Sequence, residues 1–205
     1  MLHTLRTPAH TTADDVLRDM FAARKSVFVD LLKWDVPIIN GTYEIDQFDN
    51  EHACYLVLAE PGGAHLGSAR LLPTNRPHIL GTLYPGLCEG PPPSGETIVE
   101  ITRFCLDRRL RAAERRAVRD TLVTAIVDHA LTHRISHYTA IAEFGWFQQI
   151  LAFGWRCRPL GLPQTVDGSL LAALEISITP DTPAMLARAG VLPRQALLGA
   201  ELAAA

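Results

Sequence analysis

"EHACYLVLAEPGGAHLGSARLLPT" (Glu51–Thr74) sets two apolar runs on either side of a Pro-Gly-Gly connection. Short apolar runs bounded by turn formers read as strands, and so brief a link joins neighbours, so this stretch is expected to be an antiparallel hairpin. Arg70 breaks the second run with a cation. A guanidinium among apolar neighbours needs an acidic partner or an anionic ligand.

Just upstream, "YEIDQFDN" (Tyr43–Asn50) crowds Glu44, Asp46 and Asp49 into six residues. Like charges this close raise one another's pKa unless solvent or cations relieve them, so either the segment is a solvated loop or something positive lies against it. Before it, Thr12 reads as the N-cap of a helix with Asp14 and Asp15 in its first turn. Leu17, Met20, Phe21, Val27, Phe28, Leu31 and Leu32 recur at helical spacing, which predicts a buried face. Arg24 falls within that stripe, and Trp34 lies beyond it, next to the acidic loop. Phe28 and Trp34 read either as core or as a cage for an onium cation.

Downstream, "NRPHILGTLYPGLCEGPPPSGE" (Asn75–Glu96) is a long Pro- and Gly-rich connection with one helical turn expected around Leu80–Leu87. Loops this long inside a domain are often functional. "TIVEITRFCL" (Thr97–Leu106) is a strand that carries Glu100 and Arg103, and a helix is expected from about Arg108 to His133. Its first half places Arg108, Arg111, Arg115 and Arg119 toward one side, while its second half is apolar around most of its circumference. "HYTAIAEF" reads as a strand, "GWFQQILAFG" as a short helix, "WRCRPLG" as an edge strand and "LLAALEISIT" as a closing strand; "LHTL" is a short strand at the start. This order predicts an α+β fold, an α/β sandwich with one central sheet.

The 205 residues form a single expected domain, 1–205, with an Ala-rich tail from about 197 to 205 expected to fray. With 48% hydrophobic and 20% charged residues, neither disorder nor a membrane class is favoured, and the net charge of -3 argues against general nucleic-acid binding. Cys54, Cys88, Cys105 and Cys157 are widely separated, which fits reduced thiols in a cytoplasmic protein. No signal peptide or spanning segment is evident. "DQFDNE" lacks the calcium-loop pattern, "HALTH" lacks the glutamate of a zinc-protease helix, and Ser68 and Cys105 have no nucleophile context, so no metal and no covalent intermediate are expected.

Seven charges interrupt apolar patterns: Arg24, Glu44, Asp46, Asp49, Arg70, Glu100 and Arg103. They fit a structural ion network or a ligand site equally well, and such a site would suit a zwitterionic ligand.

Four motifs, "RKSVFVDLLKWDVP", "EIDQFDNEHACYLVL", "GSARLLPTNRPHIL" and "EITRF", together resemble the LuxI-type acyl-homoserine-lactone synthases, the autoinducer synthases of bacterial quorum sensing. The resemblance runs in order from about Arg24 to Thr179. It implies a GNAT-like acyltransferase fold, a central twisted mixed sheet flanked by helices. The implied reaction joins S-adenosylmethionine and an acyl thioester into an acyl-homoserine lactone, releasing methylthioadenosine, with S-adenosylmethionine a substrate and no cofactor. The implied catalytic set is Glu100 as base with Arg103, Arg70 and Glu44. S-adenosylmethionine would be bound by Arg24, Phe28, Trp34, Asp46, Asp49, Arg70, Tyr84, Thr102 and Arg103, with Tyr84 standing where the family usually has Phe and Thr102 where Ser is common. Acyl-pocket candidates are Phe104, Ala140, Ile141, Trp146, Ile150, Leu151 and Phe153; Ala140 aligns with a position often Thr in makers of 3-oxo products, which implies an unsubstituted chain. "DRRLRAAERR" lacks the glycine-rich pyrophosphate turn of ordinary GNAT enzymes, so Arg108, Arg111, Arg115 and Arg119 are expected to dock an acidic acyl carrier protein, with acyl-CoA as the other donor. The competing readings are a conventional GNAT N-acyltransferase on another amine and an inactive member that only binds acyl carriers.

Overall fold

The chain enters through β1 (Leu2–Arg6), and the computed structural model describes residues 1–6 and 14–194. Asp14 caps α1 (Asp15–Arg24): its carboxylate accepts from the Val16 and Leu17 N–H groups at 2.8 and 3.3 Å, using two donors a helix start leaves unpaired. The Thr12 cap expected from sequence lies outside the described residues. At Lys25 the helix widens into a π-helical turn, Lys25–Leu31, with Leu32 N–H donating to Val27 O and Trp34 N–H to Phe28 O, both at 2.9 Å. The wider turn rotates the residues beyond it relative to the α-helical stripe. Leu17, Met20, Phe21, Arg24 and Phe28 are therefore buried as the spacing predicts, but Leu31 and Leu32 are 55% and 43% exposed, against expectation.

A two-stranded ribbon comes next, β2 (Ile38–Ile39) and β3 (Tyr43–Glu44), paired antiparallel. Asn40 and Gly41 at its turn have φ of 52° and 67°, and Thr42 N–H donates to Ile39 O at 3.1 Å. Two successive positive φ values make a tight hairpin turn, for which Asn-Gly is the favoured pair. This ribbon was not expected from sequence, although Asn-Gly is a strong hairpin signal.

The expected hairpin is β4 (Cys54–Ala59), every residue buried, and β5 (His65–Pro73), turned by Glu60 N–H donating to Ala64 O at 2.9 Å. Beyond it lie α2 (Ile79–Leu83), a 3-10 turn at Pro85–Leu87, and β6 (Ile98–Leu106). The helix expected from Arg108 is α3 (Ala112–His133). Its start is delayed because Asp107 first builds a turn, its carboxylate accepting from Arg109 N–H at 2.8 Å and its carbonyl from Leu110 N–H at 3.3 Å. Then β7 (His137–Glu143), α4 (Phe144–Leu151), β8 (Arg156–Pro159), β9 (Gln164–Val166), β10 (Ser169–Ser177) and α5 (Thr182–Arg188) complete the described chain. β9 and α5 carry too short a pattern to be read from sequence.

Among the described residues the main sheet runs β1-β4-β5-β6-β7-β10-β8, with β9 on β10. β6 and β7 are parallel, joined through α3 as a parallel crossover requires, while β1/β4, β7/β10 and β8/β10 are antiparallel. The sheet is thus mixed and flanked by helices, as expected. The chain divides into two compact units, the first Met1–Arg70, Arg103–Val123 and Leu192 onward, the second Leu71–Thr102 and Thr124–Val191. In the first, Gly67 lets α3 approach β5: a Cβ there would lie 2.8 Å from the Val118 side chain. In the second, Tyr138 O–H donates to Ile126 O at 3.0 Å and fixes one face of β7 against α3, while Leu80, Leu87 and Ala173 pack with Tyr84 and Ile141.

Candidate active site

The first unit answers the question posed by the acidic stretch. Arg24 from the end of α1 donates through Nε to Glu44 Oε2 at 2.6 Å and through both terminal nitrogens to Asp49 at 2.8 and 2.9 Å. Arg70 on β5 spans Asp46, at 2.6 and 3.0 Å, and Asp49, at 2.8 Å. Arg103 on β6 spans Glu44, at 3.0 and 3.1 Å, and Asp46, at 2.8 Å. Six charges close a ring of alternating sign, Arg24–Glu44–Arg103–Asp46–Arg70–Asp49, in which every carboxylate bridges two guanidiniums. The ring is formally neutral, so each sign offsets the desolvation of the other.

Local hydrogen bonds also hold the carboxylates in place. Phe48 N–H donates to Asp46 Oδ1 and Asp46 N–H to Asp49 Oδ2, both at 2.8 Å, so the spacing of the two aspartates folds "DQFD" into a turn of its own. Tyr55 O–H donates to Asp49 Oδ1 at 2.7 Å. Each guanidinium also rests near an aromatic ring: Arg24 on Phe21 at 5.0 Å, Arg70 on Phe48 at 6.0 Å, and Arg103 over Phe28 and Trp34 at 5.7 and 6.0 Å. Tyr55, Phe21 and Phe48 were not singled out from sequence as site residues, because they look like ordinary strand and helix core.

Burial alone would raise the Asp49 carboxyl, but the Arg24 and Arg70 charges and the hydrogen bonds it accepts hold it well below the usual carboxylate range. Burial likewise opposes the charge on Arg24, and Asp49 and Glu44 overcome it, so its pKa is raised. The ring is sealed unevenly. The side chains of Arg24, Glu44, Asp49 and Arg70 are at most 1% exposed, Asp46 is 5% and Arg103 is 11%. Four of the residues expected to act on substrate are therefore enclosed, and the reachable edge is Arg103–Asp46.

Arg103 holds a left-handed φ of 49° inside β6. That conformation is strained for a residue with a Cβ and re-aims the side chain, as bulges do. Phe28 and Trp34 stack on each other, centroids 4.8 Å apart and planes at 14°. Stacked in contact, the two rings leave no room for a cation between them.

The second unit holds the remaining candidates. Glu100, fully buried on β6, accepts from Ile79 N–H at 2.7 Å and Leu80 N–H at 2.8 Å, clamping the start of α2. The ionic ring closes without it. Glu100 is in register with Thr139 of β7, whose buried hydroxyl has no hydrogen-bond partner among the described residues. Thr102 is buried on β6, and Tyr84 packs on the Leu80–Leu87–Ala173 cluster with Ile141.

The two acyl candidates on β7 face opposite ways. Alternation along β7 sends Ala140 to the face of Tyr138, against α3, and Ile141 to the opposite face. Ile150 and Phe153 are buried, and Trp146 meets Phe153 edge-on at 6.1 Å. Leu151, at 41% exposed, falls outside any buried set, and Phe104 is half-buried on β6.

A mixed sheet flanked by helices, with charged groups of both signs beside an aromatic pair, defines the class as a GNAT-like acyltransferase fold. A crystallised Lactobacillus plantarum protein shares the fold, with a TM-score of 0.56 at 16% identity over 87% of this chain and 99% of that one. Residues 9–181 match the autoinducer synthase family model, and the chain belongs to that family. An acyl-homoserine-lactone synthase of Ralstonia nicotianae is 32% identical over 85% of this chain and 89% of its own. The structure of BjaI, a CoA-dependent acyl-homoserine lactone synthase with SAM and isopentyl-CoA, aligns with a TM-score of 0.82 at 29% identity, covering 93% of this chain and 89% of that one.

Proposed function

We propose that the chain acylates the amine of S-adenosylmethionine from an acyl thioester and closes the product to an acyl-homoserine lactone, releasing methylthioadenosine. The observation that carries this reading is the Arg103–Asp46 edge, the least buried part of the ring, beside the Phe28–Trp34 pair. It offers a cation, an anion and an aromatic face together, which a molecule with ammonium, carboxylate and sulfonium requires.

In the first step the amine nitrogen attacks the thioester carbonyl, forming the amide and releasing the thiol. The amine, with a reference pKa of about 8, must lose its proton. We assign that proton to Glu100 through a water. Two N–H donors fix the orientation of that carboxylate. In the second step a carboxylate oxygen attacks the carbon bearing the sulfonium, breaking the C–S bond; proximity supplies most of that catalysis. Arg24, Glu44, Asp49 and Arg70 hold the frame of the Arg103–Asp46 edge, and Thr102 and Tyr84 are assigned to substrate binding. Ala140, Ile150, Phe153 and Trp146 seat an unsubstituted acyl chain.

The donor we propose is an acyl-CoA, as in BjaI. Among the arginines expected to dock an acidic carrier protein, Arg115 donates to Asp107 O at 3.1 Å and Arg119 pairs with Asp120 at 2.6 Å, while Arg108 and Arg111 are exposed. Half of that cationic face is thus already engaged.

The test is incubation with S-adenosylmethionine and a panel of acyl-CoA and acyl carrier protein thioesters, reading lactone and methylthioadenosine by mass spectrometry. Absence of lactone with every donor would sink the reading. Glu100→Gln should slow amide formation in single turnover by about 100-fold or more; unchanged turnover would remove Glu100 as base.

A further inference from the structure

The segment from Ile79 to Glu89, which carries α2 and Tyr84, is held at both ends within the second unit. Glu100 holds its start through the Ile79 and Leu80 N–H groups. Its far end rests on the connection between β8 and β9. There Glu89 N–H donates to Leu160 O at 2.9 Å, and the Gln164 side-chain amide donates to Gly86 O. Leu160 is itself tied to the sheet: its N–H donates to Ala173 O at 2.9 Å, and Ala173 stands in register with Ile141 of β7.

Gly161 lies where these two stretches of main chain meet. Its φ is outside the left-handed region, so backbone conformation does not call for glycine there. Space does. A Cβ on Gly161 would lie 2.6 Å from Leu87 O, 3.1 Å from Glu89 N and 3.3 Å from Cys88 C, against about 3.5 Å for ordinary contact. All three neighbours are main-chain atoms, so no rotamer change relieves the overlap, and the stretch from Leu87 to Glu89 has to move. A tight turn passes that movement to Tyr84, since Leu87 N–H donates to Tyr84 O and Cys88 N–H to Pro85 O, both at 3.1 Å. Tyr84 and Leu160 also pack on the same Leu80–Leu87–Ala173 cluster.

Resting on the reading of Tyr84 as a residue that binds S-adenosylmethionine, we propose that Gly161 is a positioning residue for that substrate. It acts through Tyr84. The missing side chain lets the turn settle against the β8–β9 connection, and this close approach sets where the aromatic ring stands. Any side chain at this position lifts the turn and misplaces the ring.

Calorimetric titration of S-adenosylmethionine into the full chain, in a double-mutant cycle of Gly161→Ala and Tyr84→Ala, tests the assignment. Stoichiometry reports the folded fraction and the dissociation constant reports positioning, so a merely structural role would lower the first and spare the second. Gly161→Ala should weaken binding by about 10-fold, since a misplacement of about 1 Å costs up to about 100-fold in a positioned site. Tyr84→Ala should cost about as much, the loss of one aromatic contact. The double variant should bind like Tyr84→Ala within about twofold, because the displaced turn then has no ring to misplace. An unchanged constant in Gly161→Ala, or a double variant weakened by the product of the two single losses, overturns the inference and leaves lactone synthesis intact. An unchanged constant in Tyr84→Ala overturns the reading of Tyr84 beneath it, and failure of S-adenosylmethionine to bind wild type overturns the proposed function. Should Gly161→Ala not fold, Gln164→Ala removes only the bond to Gly86 O. It should weaken binding by about threefold in wild type and not at all in Tyr84→Ala; no effect in wild type, or the same effect in both, overturns the inference.

Discussion

Replacing Asp49 with Asn tests whether the ring is a structural unit. Asp49 joins Arg24 to Arg70 and accepts from Tyr55 and from the Asp46 amide. The substitution removes the charge and leaves the volume, so Arg24 and Arg70, 1% and 0% exposed, keep one carboxylate each in a site carrying an uncompensated positive charge. Breaking a buried ion pair from one side costs about 3–5 kcal/mol, against a total stability of roughly 5–15 kcal/mol for a domain. The expected result is a fall in melting temperature of about 6–20 °C for a chain of this size. Urea unfolding followed by tryptophan fluorescence is the assay. The sign of the pH dependence gives a second readout. Because the folded carboxyl is held below its unfolded value, its contribution is complete above about pH 4 and is lost as pH falls through the folded pKa. Wild type should lose that increment on acidification and Asp49→Asn should not. Destabilisation under about 1 kcal/mol, with an unchanged acid limb, would refute the reasoning. A compensating pair, Arg24→Met with Asp49→Leu, should be less harmful than the two single changes summed, since removing both charges removes the desolvation they share.

Tyr55→Phe should cost about 1–3 kcal/mol through the lost bond to Asp49, measured by the same unfolding assay, and a neutral result would mean Asp49 is held without it. Burial pulls the His65 imidazole down to about 4, with Asp107 opposing, so His65 is neutral in the folded state. Its contribution is complete above pH 6.5 and declines as pH falls toward 4, a loss of roughly 3 kcal/mol that His65→Gln should flatten in urea titrations across that window. Burial pushes the Cys105 thiol up to about 12, so in the native protein it should resist iodoacetamide at about pH 8 and react on unfolding, as read by peptide mass spectrometry.

Much of the architecture was legible because it rests on local pattern. The hairpin, the strand of Glu100, the apolar second half of α3 and the closing strand all arise from periodicity and turn chemistry. Failures occurred where a local departure outweighed the period: the π turn after Arg24 exposed Leu31 and Leu32, and the Asp107 turn delayed α3. The chain order of residues also determined that Arg24, Glu44, Asp46, Asp49, Arg70 and Arg103 had to be neutralised, because charges inside apolar patterns cannot be left unpaired. Their family-like spacing identified the autoinducer synthase class. Which carboxylate meets which guanidinium was decided only by the tertiary structure, since partners separated by 20 to 59 positions are brought together by strand register, the Asn40–Gly41 turn and the left-handed backbone of Arg103. The same holds for the stacking of Phe28 on Trp34, for Ala140 and Ile141 facing opposite ways, and for the main-chain clamp made by Glu100. Residue type reports what a side chain needs, but the geometry that meets the need depends on three-dimensional neighbours that no one-dimensional period encodes.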